Sequence, residues 1–130
     1  MARILFVDDD PLTLETLDKS AQLLGHQAII AKSGEEALKL AASLSPDLIM
    51  TDMMLSDMNG LALLDQLRLN DATSSIPVVV LSASPEVDIA QLSVQAGADF
   101  FISKPIRLQT LENVIEHYTS GSVDPDVSAD

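Results

Sequence analysis

The chain has 130 residues, 47% of them hydrophobic and 21% charged, which is the composition of one globular domain rather than of a disordered segment. Twenty acidic residues against seven basic ones give a net charge of −13, which disfavours direct binding to nucleic acid or to an anionic membrane surface. The absence of cysteine excludes disulfides and thiolate sites, and the first apolar run is too short for a signal peptide or a membrane span, so we expect a cytoplasmic protein.

Apolar runs and helical patterns alternate through the first part of the chain. Residues 4–7 predict a strand buried on both faces, and residues 11–24 predict a helix that begins at a proline and ends before a glycine. Residues 28–31 predict a second strand. Ser33 with Glu36 three positions later resembles a capping box and predicts the start of a second helix.

The third predicted strand, residues 47–51, ends at the carboxylate of Asp52. Turn-like residues follow as far as Gly60, where a third helix is predicted to begin. In an open α/β sheet, chemistry occurs in the loops at the carboxyl ends of the strands, so Asp52 is a candidate site residue. The alternative for a single aspartate is that it caps a turn or the next helix.

The second half of the chain continues the alternation. Its predicted elements are a strand over residues 78–81, a helix from Pro85 to Gly97, a strand over residues 100–102 and a helix over residues 108–118. Residues 1–119 are therefore predicted to form one domain, and residues 120–130 a disordered tail or linker. Five alternations predict a doubly wound, flavodoxin-like α/β fold with five helices and a five-stranded parallel sheet of order 2-1-3-4-5.

Polar side chains follow four of these strands and should therefore meet at one edge of the sheet. They are Asp8 and Asp9, Asp52, Ser82 and Lys104. Three adjacent carboxylates repel one another unless a cation is bound, and oxygen ligands without histidine or cysteine favour Mg²⁺ or Mn²⁺. A hydroxyl and a lysine can bind a phosphate, so the set predicts phosphoryl transfer onto Asp52. The alternative for Lys104 is a solvated surface charge, which is the more common state of a lysine in such a position.

The sequence resembles a receiver domain of a two-component response regulator over residues 2–118. The motifs that resemble the family are Val7-Asp8-Asp9-Asp10, the segment from Asp47 to Gly60, Leu81-Ser82-Ala83 and Lys104-Pro105. By position, the resemblance implies a phosphoacceptor (Asp52), metal ligands (Asp8, Asp9, Asp52 and the Met54 backbone carbonyl), a phosphate-pairing lysine (Lys104), a switch hydroxyl (Ser82) and an aromatic switch residue (Phe101). It also implies a cis Lys104-Pro105 peptide.

The resemblance implies a signalling role rather than an enzyme with external substrates. A histidine kinase or a histidine phosphotransfer protein would donate the phosphoryl group, and a downstream effector protein or domain would bind the face formed by the helix after Pro85, the fifth strand and the last helix. Met54 and Ser84 stand at the positions that tune loss of the phosphoryl group. Because a thioether bonds water weakly, we predict slow to moderate self-dephosphorylation.

Two positions depart from the family pattern. Ser56 replaces the proline usual four residues after the phosphoacceptor, which predicts a less rigid loop, and Asn59 replaces the aspartate before the loop glycine. The Met53-Met54 pair is interpreted as packing, and for Phe101 simple core packing is as well supported as a switch.

Two other functions compete with this prediction. A magnesium-dependent phosphatase with an aspartyl nucleophile uses similar residues, but it usually has a second aspartate two positions after the first, where this chain has Met54. A receiver-like interaction module that is never phosphorylated is the other alternative.

Overall fold

The computed structural model describes residues 1–82 and 97–119, which form a five-stranded sheet with helices on both faces. The strands are β1 (Arg3–Val7), β2 (Gln27–Ala31), β3 (Leu48–Asp52), β4 (Val78–Ser82) and β5 (Phe100–Ser103). The helices of the described part are α1 (Pro11–Leu23), α2 (Gly34–Leu44), α3 (Gly60–Leu69) and α4 (Leu108–Thr119).

The strand order is β2-β1-β3-β4-β5, and all neighbouring strands are parallel. This confirms the predicted doubly wound fold, and each predicted strand bound lies within one residue of the observed one. The helix predicted after Pro85 and the tail predicted over residues 120–130 lie outside the described residues, so both stay predictions. Among residues 1–82 and 97–119, no helix is both long and apolar enough to cross a membrane.

The core lies on both faces of the sheet because the strands alternate their side chains between two hydrophobic clusters. In β1, Ile4 and Phe6 pack with α1 and α4, whereas Leu5 and Val7 pack with α2 and α3. All four side chains have at most 1% of their surface exposed. Full burial of side chains of this size stabilises a fold by roughly 1.5–3 kcal/mol each, which explains the continuous apolar runs of these strands.

Local side chains cap helices α1 and α2 at the edge where the sheet carries its polar residues. Asp10 accepts a hydrogen bond from the backbone N–H of Leu12 at the start of α1, and Ser33 accepts one from Glu36 in α2. The capping box is formed in part, since the Glu36 carboxylate accepts from the N–H of Lys32 rather than of Ser33. Each cap of this kind stabilises a helix by about 1 kcal/mol.

Candidate functional site

The register of the sheet brings three predicted site residues to one edge. β1 and β3 are aligned with Val7 opposite Thr51, so Asp8 and Asp52 follow from adjacent strands. Asp52 lies opposite Leu81 in β4, and Ser82 follows it, with only 4% of its surface exposed. The predicted meeting of these side chains at the carboxyl ends of the strands is therefore observed.

Three carboxylates form a compact cluster at this edge. One oxygen from each of Asp8, Asp9 and Asp52 lies within 4.8 Å of the other two. Asp8 is almost fully buried, with 1% of its surface exposed, whereas Asp9 is open to solvent. An oxygen-only cluster that is open on one side fits Mg²⁺, which takes one or two carboxylates and keeps part of its water shell.

Lys104 crosses the sheet edge to reach this cluster. Its Nζ donates a hydrogen bond to Asp8 Oδ2 at 2.8 Å and lies 3.3 Å from Asp52 Oδ1. Its backbone N–H donates to the carbonyl of Ser82 at 2.7 Å, and the Lys104-Pro105 peptide is cis, as the resemblance implied. The lysine is thus not a solvated surface charge, because only 22% of its side chain is exposed.

The surroundings raise the pKa of both Asp52 and Lys104, for different reasons. Burial raises the pKa of the Asp52 carboxyl, and the neighbouring Asp8 charge adds to this, although Lys104 opposes both. For Lys104, burial lowers the pKa, but the hydrogen bond to Asp8 and the charge of Asp52 outweigh it, so its pKa lies above the ordinary value. The ammonium is therefore retained, and a divalent cation would favour the ionised form of Asp52.

Backbone hydrogen bonds hold both ends of the loop after β3, residues 53–60. The N–H of Met53 donates to Leu81 in β4, and the N–H of Gly60 donates back to the carbonyl of Met53 at 2.6 Å. Met54 and Asn59 form an isolated antiparallel bridge between these ends. The loop therefore returns to the end of β3, beside Asp52.

The side chains of this loop were predicted only in part. Met53 packs against the core as interpreted, but that interpretation was wrong for Met54, whose surface is 70% exposed. Asn59 caps α3 by accepting from the N–H of Ala62. The sequence signal for this cap is an Asn directly before an apolar helix that opens on glycine.

Two further residues have roles that were not predicted. The Asp57 carboxylate accepts from the backbone N–H groups of Gly34 and Glu35 in α2, and Arg68 in α3 binds backbone carbonyls on the opposite side of the fold. No local pattern reveals these contacts, because the partners are backbone groups and not particular side chains. Phe101 is partly buried against the core cluster that includes α2 and α3, as its packing interpretation requires.

Comparison with known proteins identifies the family to which this arrangement belongs. Residues 4–116 match the response regulator receiver domain family. The chain belongs to this family. A receiver domain is not a classical enzyme, and the family acts in two-component signalling with histidine kinases.

Among curated relatives, this receiver domain is similar to Protein PilH of Pseudomonas aeruginosa, with 31% identity over 93% of this chain and 100% of PilH. It is 38% identical to Response regulator MprA of Mycolicibacterium vanbaalenii over 84% of this chain. It is 32% identical over 85% of this chain to the DNA-binding dual master transcriptional regulator RpaA of Synechocystis. The matched region spans about half of the latter two relatives, 46% of each.

Solved structures show the same architecture. The signal receiver domain of a signal transduction histidine kinase from Syntrophus aciditrophicus superposes with a TM-score of 0.85 at 30% identity, covering 95% of this chain and 94% of that one. The chemotaxis protein CheY4 of Vibrio cholerae gives a TM-score of 0.85 at 24% identity over 91% of this chain and 98% of its own, a likeness of fold alone.

Proposed function

We propose that this receiver domain accepts a phosphoryl group on Asp52 from a histidine kinase or a histidine phosphotransfer protein. The observation that supports this most directly is the geometry of the cluster: three carboxylates within 4.8 Å of one another, and one lysine amine against two of them. In this proposal the carboxylates supply a nucleophile and a cation site, and the lysine beside them supplies a partner for the phosphoryl group. The cytoplasmic location predicted from the sequence stays a prediction.

The transfer requires little covalent chemistry from the domain. A carboxylate oxygen of Asp52 attacks phosphorus, the P–N bond to the donor histidine breaks as the new P–O bond forms, and the imidazole leaves and takes up a proton. The residues that would hold Mg²⁺ or Mn²⁺, which neutralises the developing charge when bound, are Asp8, Asp9, Asp52 and the Met54 backbone carbonyl. The Lys104 amine moves from the carboxylates to a phosphoryl oxygen, and the Ser82 hydroxyl donates to another.

Phosphorylation of Asp52 would change the surface of the domain. New charge beside Ser82 and Lys104 would draw the hydroxyl inward and let Phe101, which is partly buried, turn into the released space. That movement remodels the face made by the predicted helix after Pro85, β5 and α4, where an effector protein or domain would bind. The exposed thioether of Met54 cannot hold an attacking water strongly, which supports slow self-dephosphorylation.

Mass spectrometry tests the assignment directly. Incubated with Mg²⁺ and a small acyl phosphate such as acetyl phosphate, the chain should gain the mass of one phosphoryl group, and Asp52→Asn should gain none. Asp65→Asn, which changes an exposed acid on α3, should behave like the unmodified chain. A phosphoryl group that persists in Asp52→Asn would contradict the proposal.

The same samples separate the two alternatives. Turnover of a panel of phosphate esters would favour the aspartyl-nucleophile phosphatase, which the position of Met54 disfavours. A chain that accepts no phosphoryl group from acetyl phosphate or from phosphorylated histidine kinases would instead be a receiver-like interaction module.

A further inference from the structure

One side chain of the loop over residues 53–60 ties this loop to the first turn of α2. Asp57 Oδ1 accepts from the backbone N–H of Gly34, and Asp57 Oδ2 accepts from that of Glu35, both at 2.9 Å. The partners are 23 and 22 positions away, so the contact joins two separate parts of the fold. These hydrogen bonds lower the pKa of Asp57, which is consistent with a carboxylate acting as the acceptor.

The contact completes the start of α2. The first N–H groups of a helix have no partner within it. In α2, Ser33 Oγ accepts from Glu36, and the two preceding N–H groups, those of Gly34 and Glu35, are bound by Asp57. A carboxylate is favoured here also because the helix dipole places partial positive charge at this end.

Packing at the same place provides an independent contact. A Cβ atom added to Gly34 would lie 2.5 Å from both Cγ and Sδ of Met58, so the Met58 side chain lies directly on this buried glycine. Met58 is itself partly buried against the core cluster that includes α2 and α3. The tip of the loop is therefore held to α2 by a polar contact and by an apolar one.

Leu55 of this loop is buried in the core cluster that includes α2 and α3, and the tip beyond it has few other restraints. Beyond the bonds at its two ends, the backbone of the loop has one internal hydrogen bond at its tip among those described, from the N–H of Leu55 to Met58 at 3.2 Å. Ser56 stands where the family often has proline, whose ring would restrict the backbone. In this chain the anchor of the tip is a tertiary contact.

We propose that Asp57 is a positioning residue for the metal site: by binding the first N–H groups of α2, it fixes the loop that carries the Met54 backbone carbonyl. The inference rests on the proposed function, which gives that carbonyl its role as a ligand. Loss of the contact would let the loop tip move and would weaken Mg²⁺ binding without removing any ligand.

Calorimetric titration of the unphosphorylated chain with Mg²⁺ tests this. Asp57→Ala should raise the Mg²⁺ dissociation constant roughly 3–10-fold, less than the 10–100-fold typical of partners that touch a ligand directly. Asp57→Asn keeps one acceptor oxygen and should give an intermediate value. Ser33→Ala is the matched control, because it removes a cap from the same helix end and leaves the loop attached; it should stay within about twofold of the unmodified chain.

Phosphoryl uptake from acetyl phosphate supplies the second measurement. At low Mg²⁺, Asp57→Ala should take up the phosphoryl group more slowly than the unmodified chain. At saturating Mg²⁺ the two rates should be equal, because only metal affinity is affected. An unchanged dissociation constant in Asp57→Ala, or an equal loss in Ser33→Ala, would show that Asp57 only caps α2 and would overturn the inference. Absence of phosphoryl uptake by the unmodified chain would count against the proposed function, while the titration would still decide the role of Asp57.

Discussion

At the scale of single residues, Gly60 sets how closely α3 can approach the end of β3. A Cβ atom at this position would lie 2.7 Å from the backbone oxygen of Asp52 and 3.1 Å from Cα of Met53. Backbone atoms cannot move aside as a side chain can. Gly60→Ala should therefore lower the free energy of unfolding by about 1–3 kcal/mol, measured by urea denaturation, and slow phosphoryl uptake by displacing Asp52.

Gly34→Ala is the matched comparison for this prediction. The same methyl group there meets the flexible end of the Met58 side chain, which can change rotamer. Its effect on stability should be smaller than that of Gly60→Ala. Equal losses in the two variants would mean that backbone contact is not what limits Gly60.

The residues of the site were predictable to the extent that strand ends are predictable. Asp8, Asp52 and Ser82 follow apolar runs that could only be buried strands, so their meeting at one edge followed from parallel topology. Lys104 was placed in the same set because it follows the fifth predicted strand, although a lysine after a strand is ordinarily solvated. Asp57 could not be found this way, because its partners are the main-chain N–H groups of a different segment, and every residue type except proline has such a group.

At the scale of elements, Arg68 joins α3 to the segments that enter β4 and β5. Its guanidinium donates to the backbone carbonyls of Ser74, Ile76 and Gly97 and to the Asp99 carboxylate, at distances of 2.7–3.1 Å. Arg68→Ala removes this donor from all four partners, of which Asp99 still accepts from the backbone N–H of Val78. We expect a loss of about 2–4 kcal/mol in the free energy of unfolding, measured by urea denaturation, because hydrogen bonds from a charged group contribute more than neutral ones.

Lysine at position 68 should not restore the full stability that arginine provides. Arg68→Lys has one compact ammonium in place of a planar fork and cannot reach all four partners, so it should recover only part of the loss. Arg107→Ala, at an exposed position before α4, serves as the control for removing a positive charge and should change stability little. A loss in Arg107→Ala as large as in Arg68→Ala would assign the effect to charge alone.

The elements themselves were the most predictable part of the chain. Strands β1 and β4 are continuous apolar runs because helices cover both sides of a parallel sheet, and the helix starts at Pro11 and Ser33 have standard capping signals. How the elements are fastened to one another was not predictable. Arg68 binds carbonyl oxygens, which are present at every position and leave no pattern in the sequence.

At the scale of the whole molecule, a net charge of −13 means that any salt should stabilise the fold by screening repulsion. Binding of Mg²⁺ at the carboxylate cluster should add to that. Thermal unfolding in MgCl₂ and in NaCl at equal ionic strength separates the two effects. At a hundredfold excess over its dissociation constant, Mg²⁺ should stabilise the chain by about 2.7 kcal/mol beyond the effect of NaCl.

The site variants determine where that extra stabilisation arises. Asp8→Asn should lose most of the difference between the two salts, whereas Asp71→Asn, at an exposed turn after α3, should keep it. If both variants kept the full difference, the cation would be acting through general charge and not at the predicted site.

The bond between Lys104 and Asp8 joins residues 96 positions apart, nearly the full length of the folded domain. During translation, Asp8 and Asp52 are synthesised long before Lys104. Under the proposed function, phosphoryl transfer would therefore require the fifth strand to have been synthesised, and a product that ended before it would contain the acceptor without the amine beside it.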